Sequence, residues 1–130
     1  MTKQVVLDAS AVLAYLQDET GHEKVHEVLV EGRGILSTVN AAEVVGKLLE
    51  AGLAELSVKS VMDNLELQIE PFDDKQAWET GKLRLSTREI GLSLGDRACL
   101  TLAYLKKLPV ITADKHWDKL ATGVKVIQLR

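Results

Sequence analysis

Residues 5–16 read Val5-Val6-Leu7-Asp8-Ala9-Ser10-Ala11-Val12-Leu13-Ala14-Tyr15-Leu16, and this stretch decides the fold. Three apolar residues in a row, two of them β-branched, form a short strand with no polar face, as a strand buried on both sides requires. Asp8 ends the strand. Ser10 stands ready as the N-cap of a helix over residues 11–16.

The alternation continues along the chain. A helix over residues 22–30 carries the stripe Val25, Val28, Leu29 and ends at Gly32 and Gly34. A strand over 35–39 follows, and Asn40 opens a helix with Val44, Val45, Leu48 and Leu49 near one face and Gly52 at its end. Next come an amphipathic helix over 56–67, a strand near 68–72 and a long helix from Asp73-Asp74 through Leu85. Gly95-Asp96 opens a helix over 98–105 that is apolar nearly all round and so belongs in the interior. A strand over 109–112, a short helix over 115–121 and a strand over 124–129 complete the series. Strands separated by helices imply βαβ crossovers and a mainly parallel sheet. The class is α/β, and sites in such sheets form outside the carboxyl ends of the strands.

Composition bounds the rest. The 130 residues are 46% apolar, which suits one domain over 1–130 with a core of its own. The single cysteine, Cys99, excludes an intrachain disulfide and a multi-cysteine zinc site. Its setting in Ala98-Cys99-Leu100 is that of a buried small hydrophobe. Met1-Thr2-Lys3-Gln4 has no signal-peptide layout, and no segment approaches a membrane span, so a cytoplasmic protein with no membrane partner is expected. The net charge of −3 opposes nonspecific attraction to nucleic acid, unless a cation locally neutralises some of the acids.

Four acids lie at element boundaries. Asp8 and Asp114 follow strands, while Glu43 and Asp96 fall in the first turns of helices. In a parallel sheet all four boundaries open toward the carboxyl edge. Taken singly, each is better explained as a helix cap, and Asn40-Ala41-Ala42-Glu43 has the capping-box pattern. Together they need more. Two like charges about 5 Å apart at an effective dielectric near 20 repel by about 3 kcal/mol, so gathering them calls for a cation. An all-oxygen set selects Mg²⁺ or Mn²⁺, one or two ions. Zinc is disfavoured because His22, His26 and His116 fall outside the acid positions. A carboxylate-held pair of such ions supports in-line displacement at phosphorus. Ser10 and Thr112 read either as hydroxyl donors to water or phosphate, or as cap and strand residues. Arg97 and Lys115 are the cations expected at phosphate, with solvated surface charge as the alternative for each; Lys115 and Lys119, and Arg84 and Arg88 on the long helix, form i,i+4 pairs. Trp117 suits base stacking or core packing. Leu13, Leu16, Leu48 and Leu49 either line a groove for a partner helix or fill the domain's own core.

The segments holding the acids resemble the motifs of PIN-domain nucleases: residues 5–11 the first, Asn40-Ala41-Ala42-Glu43-Val44 the second, Ser93-Leu94-Gly95-Asp96-Arg97-Ala98-Cys99-Leu100 the third in its VapC-like form, and Thr112-Ala113-Asp114-Lys115 with Trp117 the fourth. The resemblance spans essentially the whole chain, in order. It implies a three-layer α/β/α sandwich with a central mainly parallel sheet. It also implies a metal-dependent endoribonuclease with Asp8, Glu43, Asp96 and Asp114 as catalytic and metal-binding residues. An RNA substrate, a cognate antitoxin that blocks the site, and a homodimer follow from the same resemblance. Asp114 is the acid whose ligation, direct or through water, it leaves open. Two rival readings stand beside it. One is a phosphoacceptor or phosphatase domain, although Ala9-Ser10 follows Asp8 where a second Asp would be wanted. The other is a non-catalytic module that binds nucleic acid or protein.

Overall fold

The computed structural model describes residues 3–130; Met1 and Thr2 of the N-terminal segment lie outside them. The elements run β1 (Val5–Leu7), α1 (Ala9–Leu16), α2 (His22–Val30), β2 (Gly34–Ser37), α3 (Thr38–Glu50), α4 (Glu55–Asn64), β3 (Gln68–Glu70), α5 (Asp74–Ser86), α6 (Leu94–Lys106), β4 (Val110–Thr112), a 3-10 turn (Lys115–Lys119) and β5 (Val126–Gln128). The five strands form one sheet in the order β3-β2-β1-β4-β5. Every pairing is parallel, with Val6 in register with Ile35 on one side and Val110 on the other.

The alternation of β1 divides the core. Val5 and Leu7 pack with Ala11, Val12, Val25, Val28 and Val44 on the face covered by the first four helices. Val6 packs on the opposite face with Cys99, Leu100, Leu102, Ala103 and Trp117. Both sides of a three-residue strand are therefore dry, which is why no polar residue interrupts it. The result is a three-layer α/β/α sandwich. Among the described residues, no helix is long and apolar enough to cross a membrane.

Topology fixes where a site can lie. From β1 the chain builds β2 and β3 outward on one side, then returns to place β4 and β5 on the other. The strand order reverses between β1 and β4, and their carboxyl ends flank the crevice that such a switch point opens.

Three boundaries differ from the sequence reading. The cap of α1 is Asp8, whose carboxylate accepts from Ala11 N, and the helix starts at Ala9; Ser10 lies inside it. The second strand stops at Ser37, which caps α3, so Glu43 lies beyond the first turn and Asn40 is a helical residue. The capping box occurs instead at Ser93 and Asp96, at the start of α6. Ser, Asp and Asn cap almost equally well, so where several cluster, tertiary packing chooses among them.

Candidate active site at the β1–β4 switch point

Asp8 stands at the crevice and is buried. Its backbone N–H donates to the carbonyl of Ile111 (3.2 Å), tying it to β4. Its Oδ1 accepts from Ser10 Oγ (2.7 Å) and Ala11 N (2.9 Å), and its Oδ2 accepts from Thr112 Oγ1 (2.8 Å). Each hydroxyl, having given its single proton to Asp8, accepts from backbone beyond β4: Ser10 Oγ from Ala113 N (3.1 Å) and Thr112 Oγ1 from Asp114 N (3.0 Å). Ser10 and Thr112, read from sequence as candidate phosphate contacts, thus hold the carboxylate and knit the two strand ends together. Burial raises the Asp8 pKa to about 6; the bonds from Ser10, Ala11 and Thr112 oppose this, and the charge of Asp96 adds to it.

Glu43 reaches the same region from α3. Its Oε1 accepts from Asn40 Nδ2 (2.8 Å), and the same amide nitrogen donates to the Gly95 carbonyl (3.0 Å) at the start of α6. Two acceptors on one nitrogen fix the amide orientation. The opposite atom, Asn40 Oδ1, is left buried without a partner, an arrangement that costs about 1–3 kcal/mol. Gly95 lies directly under Glu43, and a Cβ at that position would overlap the carboxylate. Asp96 follows, its Oδ2 accepting from Ser93 N (3.0 Å) while Ser93 Oγ accepts from Asp96 N (3.1 Å).

Cys99 shows where these charges converge. Its thiol is pushed well above the ordinary range, first by complete burial and then by the negative charges of Asp8, Asp96 and Glu43. The charges of three of the four acids therefore reach this buried thiol. Asp114 is not among them. Its Oδ1 accepts from His116 N (2.9 Å), with His116 Nδ1 at 3.0 Å, and it caps the 3-10 turn. Among the described residues, no three acids, histidines or cysteines stand close enough to enclose one ion unaided. The side chains at this edge offer oxygens, one pair of them on the buried Asp8 carboxylate, and Gly95 clears the space Glu43 occupies. This chemistry fits a hard divalent ion that keeps several waters.

The expected phosphate contacts fare differently. Arg97 is buried, and its Nη1 donates to the Thr80 carbonyl (3.0 Å) on α5. It turns away from Asp96 because consecutive helix positions lie about 100° apart around the axis; the reading of Arg97 as a phosphate contact is corrected on this ground. Lys115 is exposed, with its Nζ donating to the Arg130 carbonyl. Trp117 is completely buried, so it packs the core rather than offering a stacking face. His22 pairs with Glu23, and His26 stacks on Tyr15, away from the acids. Leu13 and Leu16 pack partly buried against the core and Leu48 lies within it, while Leu49 is exposed. Asn40 and Gly95 join the site without being singled out by sequence reasoning. The i,i+3 spacing of Asn40 and Glu43 is visible in the chain, but as the pattern of a cap.

A family model described as PIN domain matches residues 5–123. The chain belongs to the PIN domain family. A search of curated proteins finds no match. Among solved structures, this PIN domain is similar to a chain of the DNA-bound VapBC complex from Salmonella typhimurium, at 17% identity and a TM-score of 0.76, covering 99% of this chain and 100% of that one. It is also similar to a chain of VapBC2 from Rickettsia felis bound to a promoter DNA fragment, at 17% identity and a TM-score of 0.74 over 95% and 97% of the two chains. A third likeness is to a chain of VapBC-5 from Mycobacterium tuberculosis, at 21% identity and a TM-score of 0.59 over 99% of each. At these identities the likeness establishes a shared fold.

Proposed function

We propose that this PIN domain is a Mg²⁺- or Mn²⁺-dependent endoribonuclease and the toxin of a toxin–antitoxin pair. The observation that carries the reading is a buried carboxylate, Asp8, clamped by Ser10 and Thr112 at the β1–β4 switch point, with Asn40 tying Glu43 to Gly95, the neighbour of Asp96. Nuclease activity is typical of the PIN family, and the VapBC complexes of similar fold support an antitoxin partner.

Asp8, Glu43 and Asp96 would hold the ion, with Asp114, beside the crevice, acting through water. When bound, the ion supplies positive charge that activates water and stabilises the leaving oxygen in an in-line displacement at phosphorus. Ser10 and Thr112 keep Asp8 in one orientation, so no ordering of that carboxylate is left to the reaction itself. In the metal-free protein the raised pKa leaves Asp8 half protonated near pH 6, so below that a cation has to displace the proton. Lys115, exposed and one residue beyond Asp114, would neutralise substrate phosphate after leaving the Arg130 carbonyl. The antitoxin would lay an apolar helix against α1 and α3, where Leu49 is exposed and Leu13 and Leu16 are partly so, and send an Arg or Lys toward the acids. Homodimerisation and a cytoplasmic setting complete the proposal.

The test is cleavage of mixed RNA and DNA pools with Mg²⁺, Mn²⁺ or EDTA by wild type and Asp8→Asn. RNA cleavage that needs metal and is lost in the folded variant is expected. Equal cutting by both proteins would remove Asp8 from the reaction, and preferential cutting of DNA would reassign the substrate.

A further inference from the structure

We infer that Asn40 and Gly95 form a positioning device that holds Glu43 over the crevice, and that the strength of divalent-cation binding depends on it; this rests on the metal-dependent reading above. Asn40 is on α3 and only 1% exposed. Its amide nitrogen spans two elements, donating to Glu43 Oε1 one turn further along α3 and to the Gly95 carbonyl at the start of α6. The bond to Gly95 crosses 55 positions of sequence, so its geometry comes from helix packing rather than from local chain preference.

Glu43 itself is solvent-exposed, and an exposed Glu side chain ordinarily samples many rotamers. Here one carboxylate oxygen is held by a buried amide, and the carboxylate rests where a side chain at residue 95 would begin. The unpartnered Asn40 Oδ1 bears on the same conclusion. An apolar residue of similar shape would avoid the penalty of an unmet acceptor, although buried atoms elsewhere, such as Gln76 Oε1 and Gln128 Oε1, are likewise without a partner. Asn40 accepts that penalty while keeping its nitrogen on Glu43 and the α6 terminus. Gly95 contributes by lacking an atom. Its φ is not positive, so backbone strain does not call for glycine there, and the three atoms a Cβ would meet first all belong to the Glu43 carboxylate.

The two residues are expected to act through Glu43 alone. Mn²⁺ affinity is to be measured by calorimetry on the full chain for wild type, Asn40→Ala, Gly95→Ala, Glu43→Gln and the two double variants with Glu43→Gln. Loss of a residue that orients a metal ligand typically weakens binding by about 10–100-fold, and that range is expected for each of the first two variants. Added to Glu43→Gln, neither should weaken binding further by more than about twofold, since nothing then remains for it to position. Gly95→Ala separates positioning from stability: alanine is the better helix former, so the metal-free Tm should hold or rise while affinity falls. Unchanged Mn²⁺ affinity in Asn40→Ala and Gly95→Ala would overturn the inference and leave the nuclease reading standing. Equal losses with and without Glu43 would overturn it as well. Wild type that binds no Mn²⁺ would overturn both.

Discussion

Thr112 donates its hydroxyl proton to Asp8 Oδ2 at 2.8 Å across 104 positions of sequence. The bond joins the carboxyl ends of two adjacent strands at the point where the order of the sheet reverses. Thr112 is completely buried, so water cannot replace it. Thr112→Val keeps the shape and removes the donor; since hydrogen bonds to charged groups contribute about 1.5–3 kcal/mol, a loss of that size is expected in chemical denaturation near neutral pH. Thr112→Ser should recover most of it. A valine variant as stable as wild type would show that the bond does not restrain Asp8.

The raised pKa of Asp8 sets a pH dependence with a definite sign. Folded Asp8 titrates at about 6 against an ordinary value of 3.8, so between these values the folded state binds more protons than the unfolded one. Its contribution to stability is fully present below the unfolded pKa and is lost as pH rises through about 6. The total is about 3 kcal/mol, because each pH unit separating the two titrations corresponds to about 1.4 kcal/mol. Denaturation in EDTA should show stability falling from about pH 4 to above pH 6, with a shallower fall in Asp8→Asn. Proton and cation compete for the same carboxylate, so Mn²⁺ affinity should climb over that interval. A stability profile identical in wild type and Asp8→Asn would place the titration elsewhere.

Cys99 is completely buried, with its thiol pushed well above the ordinary range. Thiolate is the reactive form, so a disulfide reagent should label Cys99 only as fast as the protein opens. Labelling should speed up with denaturant in step with unfolding. Rapid stoichiometric labelling of the native protein would contradict the burial of this side chain.

Arg97 and Lys115 should respond to mutation in opposite ways. Arg97→Ala removes a buried bond to Thr80 and leaves a cavity between α5 and α6, which should cost about 2–4 kcal/mol in stability. Lys115→Ala should leave stability within about 0.5 kcal/mol, as surface changes do, but raise the KM for RNA. Denaturation and cleavage kinetics on the two variants check both halves. A stable Arg97→Ala protein with a raised KM would return Arg97 to the phosphate.

The order of strands and helices, the parallel sheet and the four acid positions were all legible in the linear chain. The reason is that apolar periodicity and strand-to-helix boundaries are properties of neighbouring residues. The dry faces of β1 could be read from Val5-Val6-Leu7 because only an unbroken apolar run survives burial on both sides. Caps were less legible. Asp8, Ser10, Ser37 and Asn40 have nearly equal capping propensity, and which one serves depends on where the backbone leaves the sheet.

The sequence by itself determined that four carboxylates would emerge near one edge of a parallel sheet. Only the tertiary structure decided that Asp8 is clamped between Ser10 and Thr112 while Asp114 turns to His116, and that Arg97 points away from the acid beside it in the chain. It alone made Asn40 a bridge to Gly95 rather than a cap. The physical reason is that a side chain's direction and desolvation depend on what packs against it. Asp8, Asn40 and Arg97 each find a partner on another element, 104, 55 and 17 positions away, which no reading of neighbouring residues supplies.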